Sequence, residues 1–170
     1  RPSSNIECRL GPSYGQRSSY AQWIGTIRDD KGDHYVYGEL ESTTLDFTTR
    51  LSMSFTPKLS FQLSMQPFIA IGDYQNFKEL VEPQTYDFRR YKLGTNRDFY
   101  RRSLIGNMVL RWEFQPGSTI FVVWSQSREM EKQERLTSED LQLRPLDRFL
   151  STFTDEGENL FLVKVNYWFG

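Results

Sequence analysis

The stretch Thr43–Phe55, TTLDFTTRLSMSF, decides how the fold is read. Leu45, Phe47, Thr49, Leu51, Met53 and Phe55 fall on one side of an extended chain, and Asp46, Thr48, Arg50, Ser52 and Ser54 on the other. Successive strand side chains point to opposite faces, so strict period-two alternation marks a strand with one apolar and one polar face. Thr56-Pro57-Lys58 follows as a tight turn, with Pro57 preset for a turn position. Then LSFQLSMQPFI, Leu59–Ile69, alternates again: Leu59, Phe61, Leu63, Met65 and Ile69 oppose Ser60, Gln62, Ser64 and Gln66. The pair reads as a hairpin with one greasy face.

Working outward, a second hairpin spans Leu104–Arg128. Gly106, Met108, Leu110, Trp112 and Phe114 alternate with Asn107, Val109, Arg111 and Glu113, and Gln115-Pro116-Gly117-Ser118 makes the turn. The returning segment is apolar on both faces in its first half, which leaves its orientation open. A last strand carries Phe161, Val163, Val165, Tyr167 and Phe169 on one face and Lys164 and Asn166 on the other. With an earlier strand at Tyr20–Arg28, six strands are expected, near 20–28, 34–55, 59–70, 104–114, 119–128 and 159–169. Residues 1–18 read as a poorly defined lead-in, 29–33 as a longer connection, and 71–103 and 129–158 as long surface loops.

Short turns thus alternate with longer connections. Outer-membrane barrels have this arrangement, with short periplasmic turns and longer extracellular loops. A tilted strand crosses a bilayer in about 9–11 residues, which suits Leu45–Phe55. Glu39 and Glu41 share the face of Leu45 but lie beyond that span, and they read as a solvated strand end rather than a cation site. Phe55, Trp112, Phe114, Tyr167 and Phe169 gather near the expected periplasmic rim, where barrels carry an aromatic girdle. The expected fold is therefore all-β, an antiparallel up-and-down outer-membrane β-barrel. Six strands are too few to close one, and an open edge in lipid leaves backbone groups unsatisfied. The chain is accordingly read as the six-strand C-terminal portion of a larger barrel.

Composition fits. Mean hydropathy is −0.61, as expected when lipid-facing and lumen-facing residues alternate. Nine Tyr, four Trp and thirteen Phe suit a β-rich soluble core and aromatic girdles at two membrane interfaces equally. With 21 basic and 22 acidic side chains the net charge is −1, which gives no general attraction to nucleic acid. The chain opens on Arg1 rather than Met and reads as a processed or truncated product.

No P-loop or G-x-G-x-x-G is present; Gly11-Pro12-Ser13-Tyr14-Gly15 fits G-x-S-x-G as a bare string, but no strand–turn–helix nucleophile elbow is read there. The expectation is no catalytic residue, no cofactor and no metal. The lone His34 has no second His or Cys nearby. Asp29, Asp30 and Asp33 with Gly32 fail the EF-hand spacing and read as a solvated turn. Cys8 lies outside the strands drawn above and reads as inert. Asp46, Arg50, Gln62, Gln66, Arg111, Glu113 and Lys164 are expected on the lumen face, where charges pair or hydrate. The basic, aromatic segment Phe88–Arg102 suits anionic lipopolysaccharide, or pairing with Asp87 and Asp98, better than nucleic acid. Met130–Leu150 is charged and partly helix-compatible.

The strings HYVYGELESTTLDFTTRLSMSFTPKLSFQLSMQPFIA (34–70), QNFKEL (75–80), NMVLRWEFQPGSTIFVVWSQSR (107–128) and NLFLVKVNYWFG (159–170) carry a family resemblance. From Tyr20 to Gly170 the chain resembles the C-terminal barrel segment of a group of bacterial outer-membrane proteins of unknown function. In that group a carbohydrate-binding-module-like domain precedes the barrel. The resemblance implies location in the cell outer membrane and a non-enzymatic role in transport or surface anchoring, linked to glycan handling. The implied partners are outer-membrane lipid and lipopolysaccharide, the barrel-assembly machinery and the rest of the same barrel. The ending also resembles the terminal aromatic signal read by that machinery, here Tyr167 and Phe169. The alternative is a soluble β-sandwich or barrel module binding carbohydrate or lipid.

Overall fold

The computed structural model describes residues 5–132 and 150–170. They form one antiparallel sheet of seven strands: β1 (Ile6–Asp29), β2 (Gly32–Thr56), β3 (Leu59–Leu80), β4 (Phe88–Arg90), β5 (Phe99–Gln115), β6 (Ser118–Lys132) and β7 (Gly157–Asn166). The spatial order is β1-β2-β3-β5-β6-β7, with the short β4 on the free upper edge of β3. The sheet is an up-and-down meander and is not closed, since β1 and β7 each have one neighbour. The all-β, antiparallel expectation holds at that level.

Both Pro turns lie at one end, called lower here. Pro57-Lys58 joins β2 to β3, and Pro116-Gly117 joins β5 to β6. Pro116 fixes one turn position, and Gly117 takes a φ of 77° that other residues reach only with strain. The upper end carries the β1–β2 turn, the 81–98 connection and the β6–β7 connection.

Several sequence boundaries need correction. Most of the expected lead-in 1–18 is strand, because β1 starts at Ile6 and pairs with β2 down to Ile6–Met53. Cys8 therefore sits inside β1, opposite Leu51, and is exposed. The expected loop 71–103 contracts to 81–98, since β3 runs to Leu80 and β5 begins at Phe99. The expected loop 129–158 gives residues to both β6 and β7. The β1–β2 connection is a tight turn of Asp30 and Lys31, not a longer loop. β7 ends at Asn166, so Tyr167 and Phe169 follow the strand instead of lying in it. These segments lack clean apolar alternation, and their strand character comes from backbone pairing with a neighbour. The helix-compatible stretch falls mainly on 133–149, outside the described residues.

The small core lies high on the sheet. Ile69, Ile71 and Tyr100 are buried together, with Met130 packed against them. Residues 150–156 cover the sheet there: Asp155 binds Arg102, whose guanidinium also donates to Ser151 Oγ at 2.6 Å, and Arg128 donates to the Asp155 carbonyl.

Candidate functional site

The register turns the separate alternations into continuous rows. Cys8, Leu51, Leu63, Met108, Trp124 and Phe161 are cross-strand partners through six strands. Next to them run Ile6, Met53, Phe61, Leu110, Val122 and Val163. Paired residues point to the same side, so the lower half of the sheet has one largely apolar face, interrupted on β2 by Thr49. It remains uncovered along its margins: Leu10, Phe55, Phe161, Val163 and Val165 are each more than half exposed.

Aromatic rings border this face below. Trp112 meets Phe114 at 6.1 Å between centroids, Phe114 meets Tyr167 at 6.4 Å, and Tyr167 meets Phe169 at 4.7 Å. Four of the five expected rim aromatics thus form one chain of contacts; Phe55 stands apart and exposed. The end of the chain is fixed by the Trp168 backbone N–H, which donates to the buried Ser118 Oγ at 3.0 Å. At the upper border Trp124 donates its indole N–H to Asn159 at 3.1 Å, apolar body and polar tip each finding its surroundings.

Asp46, Arg50, Gln62, Gln66, Arg111, Glu113 and Lys164 all lie on the opposite face. Arg50 is opposite Ser64, Gln62 opposite Ser52 and Val109, and Arg111 opposite Ser60 and Phe121, which in turn faces Lys164. The structure brings the seven to one face but not into one cluster. Arg111 and Glu113 form an ion pair at 3.2 Å. Arg50 lies beside Arg9, whose own carboxylate partner is Glu7.

In the upper half the polarity of the faces reverses. On the side of Asp46 and Arg50, Val36 and Leu40 are now buried, and Gly38 leaves room for Ile24, Tyr74 and Phe77. On the side of Leu45 stand Glu39, Glu41 and Asp73. Here sequence reading missed a network around His34. Its Nδ1 lies 2.5 Å from Glu79 and its Nε2 3.1 Å from Asp29, while Glu79 also accepts from Arg89 on β4. The Glu79 hydrogen bond, and then that of Asp29, raise the His34 pKa above its usual value. The hydrogen bond from His34 lowers that of Glu79, and the Lys31 backbone N–H and His34 lower that of Asp29. Asp33 is taken by Arg28 at 2.5 Å, so two of the three carboxylates of the acidic turn, Asp29 and Asp33, already have partners. Among the described residues no group of three or more His, Cys, Asp or Glu could hold a metal ion. No helix among them is long and apolar enough to cross a membrane, which says nothing of crossing by strands.

A second missed feature surrounds β4. Lys78 lies under the Tyr20 ring, 3.0 Å from its centroid, and 3.0 Å from Glu39. Phe88 touches Tyr20, Tyr37 and Tyr86. The aromatic content of 86–91 was visible in the sequence, but its partners come from β1 and β2 through register alone.

Fold and faces define an all-β protein built on one long-stranded antiparallel meander, amphipathic in its lower half. The chain belongs to the family described as a domain of unknown function, DUF5916, whose model matches residues 1–170. Neither the curated proteins nor the solved structures contain a match to it.

Proposed function

We propose that the chain is part of the wall of an outer-membrane β-barrel, acting without catalysis in transport or surface anchoring, its lower half in lipid and its upper half projecting beyond. The observation that carries this reading is the slope of the apolar band. Its upper limit is Leu45 on β2 and Phe161 on β7, and Phe161 registers through Trp124, Met108 and Leu63 with Leu51. Between them the limit passes Leu104 on β5, rising on β3 to Ile71, which Tyr100 covers. Taken between its two end strands the limit moves six residues while crossing four interstrand spacings, although on β3 it stands two residues above Leu45 and on β6 Met130 packs on the core at the row of Leu45. At the usual rise and spacing that is about 20 Å against about 19 Å, a slope near 45°.

Barrel strands tilt by about 35–45° to the membrane normal, so a level membrane boundary crosses the register rows at that slope. The lower turns are offset in the same sense: Leu59, at the β2–β3 turn, pairs with Trp112, and β5 continues to Gln115. At this tilt the span Leu45–Phe55 covers about 25 Å, the height of a barrel's apolar band. In this arrangement Asp46, Arg50, Gln62, Gln66, Arg111, Glu113 and Lys164 face the lumen. The edges of β1 and β7 continue into further strands, since lipid tolerates no open edge.

A second reading, a soluble or surface β-module, is favoured by one observation. Residues 150–156 lie over the β5–β6 end of the sheet through Arg102 and Arg128, so protein already covers part of this side. There the apolar band would be covered by another layer, as in a sandwich.

Fractionation of cells making the full-length protein separates the two. Recovery in the outer membrane, with gel mobility that changes on boiling, is the expected result. Recovery as a soluble species without detergent would overturn the barrel reading in favour of the module.

A further inference from the structure

Three adjoining hollows, of about 340, 330 and 400 Å³, follow one another around β4. The first two meet at Phe88, and the second and third at Arg90. The aromatic wall is built edge to face: Phe88 meets Tyr20, Tyr37 and Tyr86 at interplanar angles of 77°, 68° and 69°. Tyr86 is 88% exposed, an expensive position for a ring that serves only packing. Three tyrosines offer apolar ring faces together with hydroxyl groups.

The charges lining the hollows are Glu39, Lys78, Arg90 and Lys92. Glu39 is held by Lys78 and by Asn76. Among the described residues Arg90 and Lys92 enter no ion pair, so the groove has two uncommitted cations and no uncommitted carboxylate. Its middle is opened by a β-bulge, where the register shifts between Tyr37–Lys78 and Glu39–Gln75. Asn76 in the bulge has a φ of 48°, which for a residue other than glycine is uncommon. Bulges and strained backbone of this kind gather where side chains are re-aimed toward ligands.

We infer that this groove binds an acidic sugar, a pyranose ring bearing a carboxylate or phosphate. The C–H faces of the ring lie against Phe88 and Tyr86, and its hydroxyls exchange hydrogen bonds with the tyrosines. The anion meets Arg90, whose planar guanidinium matches a carboxylate or phosphate in two parallel bonds, with Lys92 beside it. Nucleic acid fits less well: its affinity grows with the number of phosphates neutralised, and two cations on a chain of net charge −1 supply little. The groove lies above the apolar band, so the inference stands whether or not that band is in lipid.

The sugar could be a free acidic polysaccharide or the phosphorylated head of a surface glycolipid. Calorimetric titration of the full-length protein in detergent with hexagalacturonate, with maltohexaose and with lipid A tests both. Expected is binding of hexagalacturonate or lipid A, weakened at least tenfold by Arg90→Glu with Lys92→Glu and by Tyr86→Ala, with maltohexaose at least tenfold weaker. Hexagalacturonate alone would identify a free chain as the source, and lipid A alone a glycolipid. Binding of neither, or binding unchanged in the variants, would overturn the inference. Far-ultraviolet circular dichroism of the variants checks that the sheet is intact.

Discussion

From Leu45 to Phe55 the odd-numbered side chains of β2 are apolar except for Thr49 and the even-numbered ones polar; from Val36 to Leu40 the buried apolar side chains are the even-numbered Val36 and Leu40, with Glu39 on the other side. The strand does not break between them, and its pairing with β3 runs through both halves. Period-two alternation therefore establishes that a segment is a strand, but which parity is apolar depends on what each face meets. Below, the apolar side chains share one face, which is exposed along its margins. Above, the other face is packed by Ile24, Tyr74 and Phe77 from the neighbouring strands. One strand, passing from one environment to another, carries both patterns.

The difference can be broken most directly in the lower half. Leu51→Arg places a charge in the middle of the apolar face, and for a lipid-facing site near the midplane this costs about 2–4 kcal/mol. Ser52→Arg adds the same side chain to the polar face at little cost. Outer-membrane recovery should fall sharply for the first and stay near normal for the second; the opposite ranking would invert the faces.

The upper half should respond to crowding. A Cβ on Gly72 would lie 2.2 Å from the Phe99 ring, so Gly72→Ala must displace that ring, at a cost of about 1–3 kcal/mol. Limited proteolysis should then cut the 81–98 connection several-fold faster while outer-membrane recovery is unchanged. Equal loss in both readouts would mean that the two halves fold as one unit.

The smallest effect is a pH dependence confined to the upper tip. The folded pKa of His34 is raised, so its contribution is complete below the ordinary value of 6.5 and is lost as pH rises through the higher folded value. Glu79 and Asp29 are lowered, so theirs is present above 4.5 and 3.8 and lost as pH falls through the folded values. The tip should be tightest in the mildly acidic window between. Hydrogen exchange at Phe88–Arg90, corrected for intrinsic rates, should be slower near pH 6 than near pH 8, and His34→Gln should flatten the difference. A slope that survives in His34→Gln would assign the effect to another group.

By itself the sequence determined the all-β class, both Pro turns, the alternating faces of Leu45–Ile69 and Gly106–Phe114, and the rim aromatics near the lower end. These follow from neighbours along the chain, because side-chain direction in a strand and the geometry of a tight turn are local. Only the tertiary structure decided that Ile6–Ser19 and Ile71–Leu80 are strands, since their irregular composition is stabilised by a partner's backbone. It also decided the polarity reversal, the meeting of Asp29, His34, Glu79 and Arg89, and the groove around Phe88. Each depends on register between segments up to about seventy residues apart, such as Tyr20 with Phe88. No local pattern encodes that register, because shifting a pairing by one residue leaves the sequence of each strand unchanged while sending its side chains to the opposite face.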